Sequence, residues 1–250
     1  MPDTTLPLEQ TLVLIKPDAL KNSLTGTILS HFAEIHTGLR FAGMKVAHVH
    51  EMLAKEHYIE HKDQPFYGEV VDYIMGRLHN KDNPSRRRVI AIIYEGVDAV
   101  GKVRQLVGPT NQNKARENYP GCVRALGAVV PTTTADGKPF NRMDNLIHAS
   151  ATRKDAEREV KLWFTPHDLP PGMRTFPTEE SKFFYFFAKD NGNYSISVRR
   201  APQSKCIIAP GDIVWRSDQQ GLEDIRANRP SDVTLPSIVA KYFLNEWSDA

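Results

Sequence analysis

The chain has 250 residues, 40% hydrophobic and 25% charged, with 32 Lys and Arg against 30 Asp and Glu for a net charge of +2. That balance suits one large or two modest globular domains and excludes a global polycation, so any recognition of phosphate must rest on local positive charge. Two cysteines (Cys122, Cys206) are too few for a disulfide framework, residues 1–5 lack a basic start with an apolar core, and no apolar run approaches ~20 residues, so a cytoplasmic protein without leader or membrane span is expected.

In chain order, residues 11–15 are a short apolar, β-branched run that predicts a buried strand, ended by Lys16 and Pro17. Asn22 and Ser23 can cap a helix along which Leu24, Ile28, Phe32 and Ile35 recur at helical spacing, with Gly38 as its stop. Residues 41–52 alternate as a strand, 55–61 and 66–78 read as helices, and 89–94 form the clearest strand in the chain. Residues 97–106 are helical, with Val100 and Val103 facing inward, and 128–130 mark a fourth strand. Thr152 and Asp155 resemble a capping box that opens a helix buried through Ala156, Val160 and Trp163. This order suggests a split βαβ arrangement, an α/β (α+β) fold with a ferredoxin-like antiparallel sheet covered by helices.

From Thr165 the composition changes. Pro166, Pro170, Pro171 and Pro177 fall among Gly172, Thr175 and Thr178, a linker signature. Residues 182–188 then read as a strand, Asp190-Asn191-Gly192-Asn193 as a hairpin turn, and 194–198 as the returning strand. Residues 206–209 and 212–216 add strands, and Ser237 caps a last helix carrying Ile238, Tyr242, Phe243 and Trp247. The organisation expected is a domain at 1–165, a Pro-rich linker at 166–181 and a smaller mixed β/α extension at 182–250.

Several residues could carry phosphoryl transfer, which needs cations and N–H donors for phosphates, an in-line nucleophile and a surface for a base. His148, within Asn145-Leu146-Ile147-His148-Ala149-Ser150, can be the nucleophile, since a neutral imidazole nitrogen attacks phosphorus. It needs a partner to fix which ring nitrogen is free, and Glu159 on the following helix can accept the other N–H. Lys16 ends an apolar strand, where its ammonium can reach a hydroxyl or phosphate. Arg104, Thr110 in Gly108-Pro109-Thr110-Asn111, and Arg124 can bind phosphates through charge-assisted bonds. Taken singly, each also reads as an ordinary packed or surface residue. His48 with His50, and His57 with His61, lack the further ligands of a metal site. Arg86-Arg87-Arg88 reads as a solvated turn, and residues 183–187 as a buried strand.

In combination these segments carry more. Thr11-Leu12-Val13-Leu14-Ile15-Lys16-Pro17-Asp18, Lys55-Glu56-His57-Tyr58 through Phe66, Gly108-Pro109-Thr110-Asn111, Asn145 to Ser150, and the closing helix at 156–164 occur in the order found in nucleoside diphosphate kinases, which residues 8–164 resemble. The resemblance implies a ping-pong enzyme in which His148 takes the terminal phosphate of a nucleoside triphosphate and passes it to a diphosphate. It implies that Glu159 orients His148, that Tyr58 stands beside it, and that Lys16 and Asn145 meet ribose hydroxyls and nearby phosphate oxygens. Arg104, Thr110 and Arg124 would grip the phosphates. Phe66 would stack on the base without reading it, giving broad base tolerance. Mg²⁺ would be held mainly by the nucleotide's phosphates, with no protein cage. Partners implied are nucleoside triphosphates and diphosphates and further copies of the chain, as a hexamer or tetramer of dimers, with no membrane and no specific nucleic acid. The sequence departs from the family pattern at Ala19, Ala149 and Ala151, and at an insertion, residues 131–143, read as a flexible loop. Competing readings are a non-catalytic scaffold built on the tail and a nucleic-acid module; the near-neutral charge argues against the latter.

Overall fold

In the computed structural model, which describes residues 7–133, 137, 139–190 and 192–244, the apolar run at 11–15 lies within strand β1 (Leu8–Ile15). There follow α1 (Pro17–Lys21), α2 (Thr25–Ser30), α3 (Glu34–Thr37), β2 (Arg40–Ala47), α4 (Glu51–His57), α5 (Tyr67–Ile74), β3 (Val89–Val97), α6 (Ala99–Val107) and α7 (Gln112–Asn118). Next come β4 (Ala128–Thr133), β5 (Pro139–Asp144), β6 (Ile147–Ala149) and α8 (Arg153–Trp163). The tail adds β7 (Thr178–Glu180), β8 (Tyr185–Asp190), β9 (Asn193–Ser197), β10 (Lys205–Ile208), β11 (Ile213–Trp215), α9 (Arg216–Arg226) and α10 (Leu235–Val239). Two units result, one of residues up to 47 with 72–157, the other of 48–71 with 158 onward.

The first unit is built on a four-stranded sheet in the order β2-β3-β1-β6, antiparallel at every pairing. This is the split βαβ, ferredoxin-like arrangement expected. Leu12, Val13, Leu14 and Ile15 are all fully buried, which is why β1 reads as a continuous apolar run and not as an alternation. Val13 and Ile15 join Ile92 and Tyr94 of β3, Ile28 of α2, and Ala99, Val103 and Val107 of α6 in one core.

Three expectations change here. Residues 24–37 are two short helices, not one, because Ala33 turns extended (φ −54°, ψ 125°); Ile35 thereby leaves the apolar stripe and is 86% exposed. Residues 128–130 belong to β4, which pairs with β5 as a separate hairpin, and the fourth place in the sheet goes to the three-residue β6. A strand that short leaves no readable period. The insertion at 131–143, expected as a flexible loop, supplies most of that hairpin, paired from Ala128↔Asp144 to Thr133↔Pro139; Thr134, Ala135 and Asp136 lie outside the described residues.

In the second unit, β10-β8-β9 form one small sheet and β11-β7 another. Asp190 opposite Asn193 closes the expected two-residue hairpin, with Gly192 at φ +83°. Tyr185, Phe187, Ile208, Val214, Leu222 and Ile238 form the core, and Met52 of α4 packs against it. The strand expected to reach residue 52 stops at Ala47, and α4 begins after His50, whose Nδ1 accepts the Leu53 N–H (3.4 Å). That leaves His50 Nε2 to donate to the Ala240 carbonyl at 2.9 Å. The Trp215 indole donates to the Phe164 carbonyl (2.7 Å), and the Thr234 hydroxyl to Glu56 Oε2 (3.1 Å). Residues 166–181, read as a linker, carry two 3-10 turns and β7, with Arg174 Nε donating to the Pro166 carbonyl at 2.9 Å. The last helix is capped by Thr234, not Ser237, which sits at its third position and donates its N–H to the Thr234 hydroxyl (3.1 Å). Trp247 lies outside the described residues. Helix α9 was not expected; its buried positions include Asp218 and Gln219, so no apolar stripe announces it.

Because residues 48–71 share their core with the tail, truncation after Thr165 is expected to expose Met52, Trp163 and Phe164 and to give aggregated or markedly less heat-stable protein. Unchanged solubility, assembly and melting temperature in the truncated chain would refute this.

Candidate active site

The end of β1 and the start of β6 meet at a tight bend. β6 runs antiparallel to β1 with His148 opposite Leu14. Just before it, the Ile147 N–H donates to the Asn145 carbonyl at 2.7 Å, a three-residue turn centred on Leu146, whose φ is +67°. A branched side chain in the left-handed region is costly, of order 1–3 kcal/mol, and both peptide groups of Leu146 are held. Its N–H donates to Asp18 Oδ2 (2.9 Å) and its carbonyl accepts the Lys16 N–H (2.9 Å). Pro17 starts α1 and places Asp18 in its first turn. The Lys-Pro-Asp sequence is thus the part that clamps the bend. One strand further, the Ser150 hydroxyl accepts the Leu12 N–H at 3.2 Å and secures the other side of half-buried His148.

Around this bend four of the expected residues are joined. Lys16 Nζ donates to Asn145 Oδ1 (2.6 Å), and Asn145 Nδ2 donates to the Thr110 carbonyl (3.3 Å). Arg124 Nη1 donates to the Gly108 carbonyl (2.9 Å) and the Thr110 hydroxyl (3.4 Å), while Nη2 donates to the Ile147 carbonyl (3.2 Å). Arg124 therefore ties the 108–110 turn to the strand that bears His148. Gly108 has φ +80°, and a Cβ there would collide with the Cys122 side chain, so this turn requires glycine. Arg104 stands exposed on α6, one turn before Gly108. Tyr58, Phe66 and Glu159 belong to the second unit. Tyr58 follows α4 with its ring 4.7 Å from that of His57, Phe66 is 39% exposed with its ring 5.7 Å from His61, and Glu159 is buried on α8, 3.5 Å from Arg158 Nη2.

Lys16 is buried, and desolvation together with the Arg124 charge lowers its pKa to about 7; Asp18 and Asp144 oppose the shift. Desolvation also works against the Asp144 carboxylate, but hydrogen bonds from His79 (2.9 Å) and Arg142 (2.6 and 2.9 Å) outweigh it and hold the pKa at about 2. The sequence reading missed Tyr73, whose hydroxyl accepts the Asn145 N–H (3.2 Å) and whose ring lies 4.7 Å from Lys16 Nζ. It also gave no role to Asp18, His79, Arg142 or Asp144. Asp18 stood inside the Lys-Pro-Asp motif and Tyr73 on the apolar side of a helix, so both were visible without a partner; His79 carried no signal. The donor set around the bend is cationic and amide, which suits phosphate oxygens; Asp18 is bonded through Oδ2 to Leu146, and both oxygens of Asp144 are taken by His79 and Arg142. A divalent ion carried by bound phosphates would suit such a set.

Residues 9–169 match the family model for nucleoside diphosphate kinase. The chain is 36% identical over 163 residues to a nucleoside diphosphate kinase of Staphylococcus haemolyticus, covering 65% of this chain and 91% of that protein. Among solved structures it is similar to the Aquifex aeolicus nucleoside diphosphate kinase, at 30% identity and TM-score 0.52, covering 66% of this chain and all of that one. It is also similar to a Borrelia burgdorferi nucleoside diphosphate kinase described as a transition-state mimic with bound vanadate and ADP, at 26% identity and TM-score 0.50, covering 65% of this chain and 90% of that one.

Asp18→Ala leaves the buried Leu146 N–H without its acceptor. It is expected to cost about 1–3 kcal/mol in urea unfolding, and Asp18→Asn, which retains an acceptor oxygen, to recover most of the loss. Equal losses in the two variants would show that the charge and not the hydrogen bond matters.

Proposed function

This chain belongs to the nucleoside diphosphate kinase family, and we propose that His148 is the residue through which it transfers the terminal phosphate of a nucleoside triphosphate to a nucleoside diphosphate. The observation that carries the proposal is the connected set Lys16–Asn145–Thr110–Arg124, bonded directly to the strand that presents His148. In the first half-reaction a ring nitrogen of His148 forms a bond to the terminal phosphorus as the bond to the bridging oxygen breaks, and the diphosphate departs with the electron pair. In the second, a terminal oxygen of an acceptor diphosphate attacks the phosphohistidine and the imidazole leaves. Arg124, Thr110 and Arg104 stabilise the charge spread over the transferring group. Lys16 and Asn145 meet the ribose hydroxyls and the phosphate oxygens beside them, Tyr58 stands by the terminal phosphate, and Glu159 fixes the free nitrogen of His148. Phe66, exposed beside His61, stacks on the base without a hydrogen-bond code, so base tolerance is broad. Mg²⁺ carried by the nucleotide's phosphates would neutralise part of their charge.

We assign the catalytic residues to the segment 1–165 and treat residues beyond 181 as an extension, one whose core takes in Met52 of that segment. A homo-oligomer built from dimers is favoured by β2, an edge strand of the main sheet with Phe41, Met44 and Val46 about half exposed. A cytoplasmic location fits the two free cysteines. Among the described residues no helix is long and apolar enough to cross a membrane.

Brief mixing with Mg²⁺ and ATP is expected to add one acid-labile phosphoryl group to the intact mass, discharged by GDP and absent in His148→Ala. Folded, nucleotide-binding protein that gains no phosphoryl group would instead favour a non-catalytic role. A second outcome concerns Lys16. With a pKa near 7 it is largely neutral at pH 8, and bound phosphates raise that pKa, so binding should take up close to one proton at pH 8 and little at pH 6, where Lys16 is already charged. Calorimetry in two buffers of different ionisation enthalpy measures the uptake, and Lys16→Met should abolish it.

A further inference from the structure

Beside the bend lies a group of side chains that the reaction scheme does not use. Asp144, the last residue of β5 and the residue before Asn145, is buried. Its two oxygens take a bidentate fork from Arg142, Nε to Oδ1 at 2.6 Å and Nη2 to Oδ2 at 2.9 Å. Buried His79 is bonded through Nε2 to the same Oδ2 at 2.9 Å. The His79 ring lies 5.1 Å from that of Tyr73. Tyr73 in turn accepts the Asn145 N–H (3.2 Å) and lays its ring 4.7 Å under the Lys16 ammonium. From α5, the loop after it and β5, these four residues form one connected set, which Tyr73 joins to the backbone of Asn145 and the side chain of Lys16.

We propose that Tyr73 and Asp144 are positioning residues for phosphoryl transfer, with His79 and Arg142 as their support: Tyr73 fixes the Asn145 peptide and lays its ring under the Lys16 ammonium, and Asp144, held by His79 and Arg142, anchors the chain where Asn145 leaves β5. The proposal rests on the reading that Lys16 and Asn145 meet the nucleotide. Asn145 must offer its side-chain oxygen to Lys16 while its own N–H is satisfied within a buried turn, and the Tyr73 hydroxyl satisfies it. An ammonium out of water needs compensation on every side. The groups facing Lys16 are Arg124 from the 123–126 turn, which disfavours its charge, Asp18 from α1 and Asp144 from β5, which favour it, the π face of Tyr73 from α5, and the Asn145 amide. Removing Asp18 would also release the Leu146 N–H and open the bend, whereas Asp144, paired with Arg142 and His79, can be neutralised with that hydrogen bond in place.

The test uses the full chain with Tyr73→Phe and Asp144→Asn, assayed for kcat, KM for a nucleoside diphosphate, the pH profile of kcat/KM and the melting temperature. Tyr73→Phe keeps the ring and deletes one hydrogen-bond acceptor, so KM is expected to rise about three- to tenfold, with kcat within about twofold and the pH profile unmoved. Asp144→Asn is expected to shift the alkaline fall of kcat/KM to lower pH, because Lys16 loses its proton more readily. Should Asp144→Asn not fold, the KM of Tyr73→Phe decides the proposal by itself. Folded Tyr73→Phe with the parental KM, or an alkaline limb that stays in place in Asp144→Asn, overturns the proposal. So does a fall in melting temperature with KM and pH profile unchanged, which would mark these residues as purely structural. Failure of the underlying reading is separately visible, as a parent protein that takes up no acid-labile phosphoryl group.

Discussion

Leu146 occupies a backbone conformation that its side chain disfavours, and the neighbouring residues are arranged to hold it there. The bend reverses the chain between β5 and β6 within three residues, so the hairpin ends at Asp144 and the sheet strand begins at Ile147. A relaxed loop of ordinary length would satisfy the connection but would not fix the phase of β6. In a strand, a slip of one residue turns every side chain to the other face. With β6 only three residues long, its pairing with β1 cannot fix register alone, and the bend supplies the missing constraint. The Lys16 N–H and the Asp18 carboxylate hold the bend, Ser150 holds the far end, and His148 lies between them.

The same bend sets the electrostatics. Its polar groups are turned inward on Lys16, Arg124, Asp18 and Asn145, so cations and anions share a volume with little water. Bringing Arg124 near Lys16 costs free energy, and the pKa of Lys16, lowered first by burial and then by Arg124, reflects that cost. Under the proposed function the cost would fall on binding, because the two cations would then share the counter-charge of phosphate oxygens. Arg124 itself is built into the backbone through the Gly108 and Ile147 carbonyls, so its orientation does not depend on the ligand.

The sequence exposed the parts of this design that are local. The buried run of β1, the strand β3, the helix α6 and the hairpin at Asp190–Asn193 each carry their own period or turn chemistry, and all appear near the positions expected. What the pattern could not expose was pairing between distant segments. Residues 128–130 look more like a sheet strand than Ile147–Ala149 does, yet the latter takes the place, because the choice depends on Lys16 and Asp18 some 130 positions away in sequence. Residues 166–181 read as a linker because proline and glycine dominate them, but 3-10 turns use the same residues. Helix α9 buries Asp218 and Gln219, and so hides from any test based on apolar spacing. At the site, residue types known to contact phosphate were legible, whereas Tyr73, His79 and Asp144 gained meaning only through what they touch.

Two buried lysines in this chain show how burial alone fails to distinguish structure from function. Lys241 donates to Asp218 Oδ2 at 2.7 Å and to the Ile238 carbonyl at 2.8 Å, so its charge is opposed and its donors are largely used. That pair is complete within the tail. Lys16 is as deeply buried, but its ammonium meets one neutral amide oxygen and the face of an aromatic ring, and its charged neighbours are divided in sign. An ammonium has three donors. For Lys241 the protein supplies a carboxylate at hydrogen-bond distance; for Lys16 it supplies an amide oxygen, an aromatic face and a second cation nearby, so Lys16, desolvated, gives up its proton far more readily than a surface lysine does.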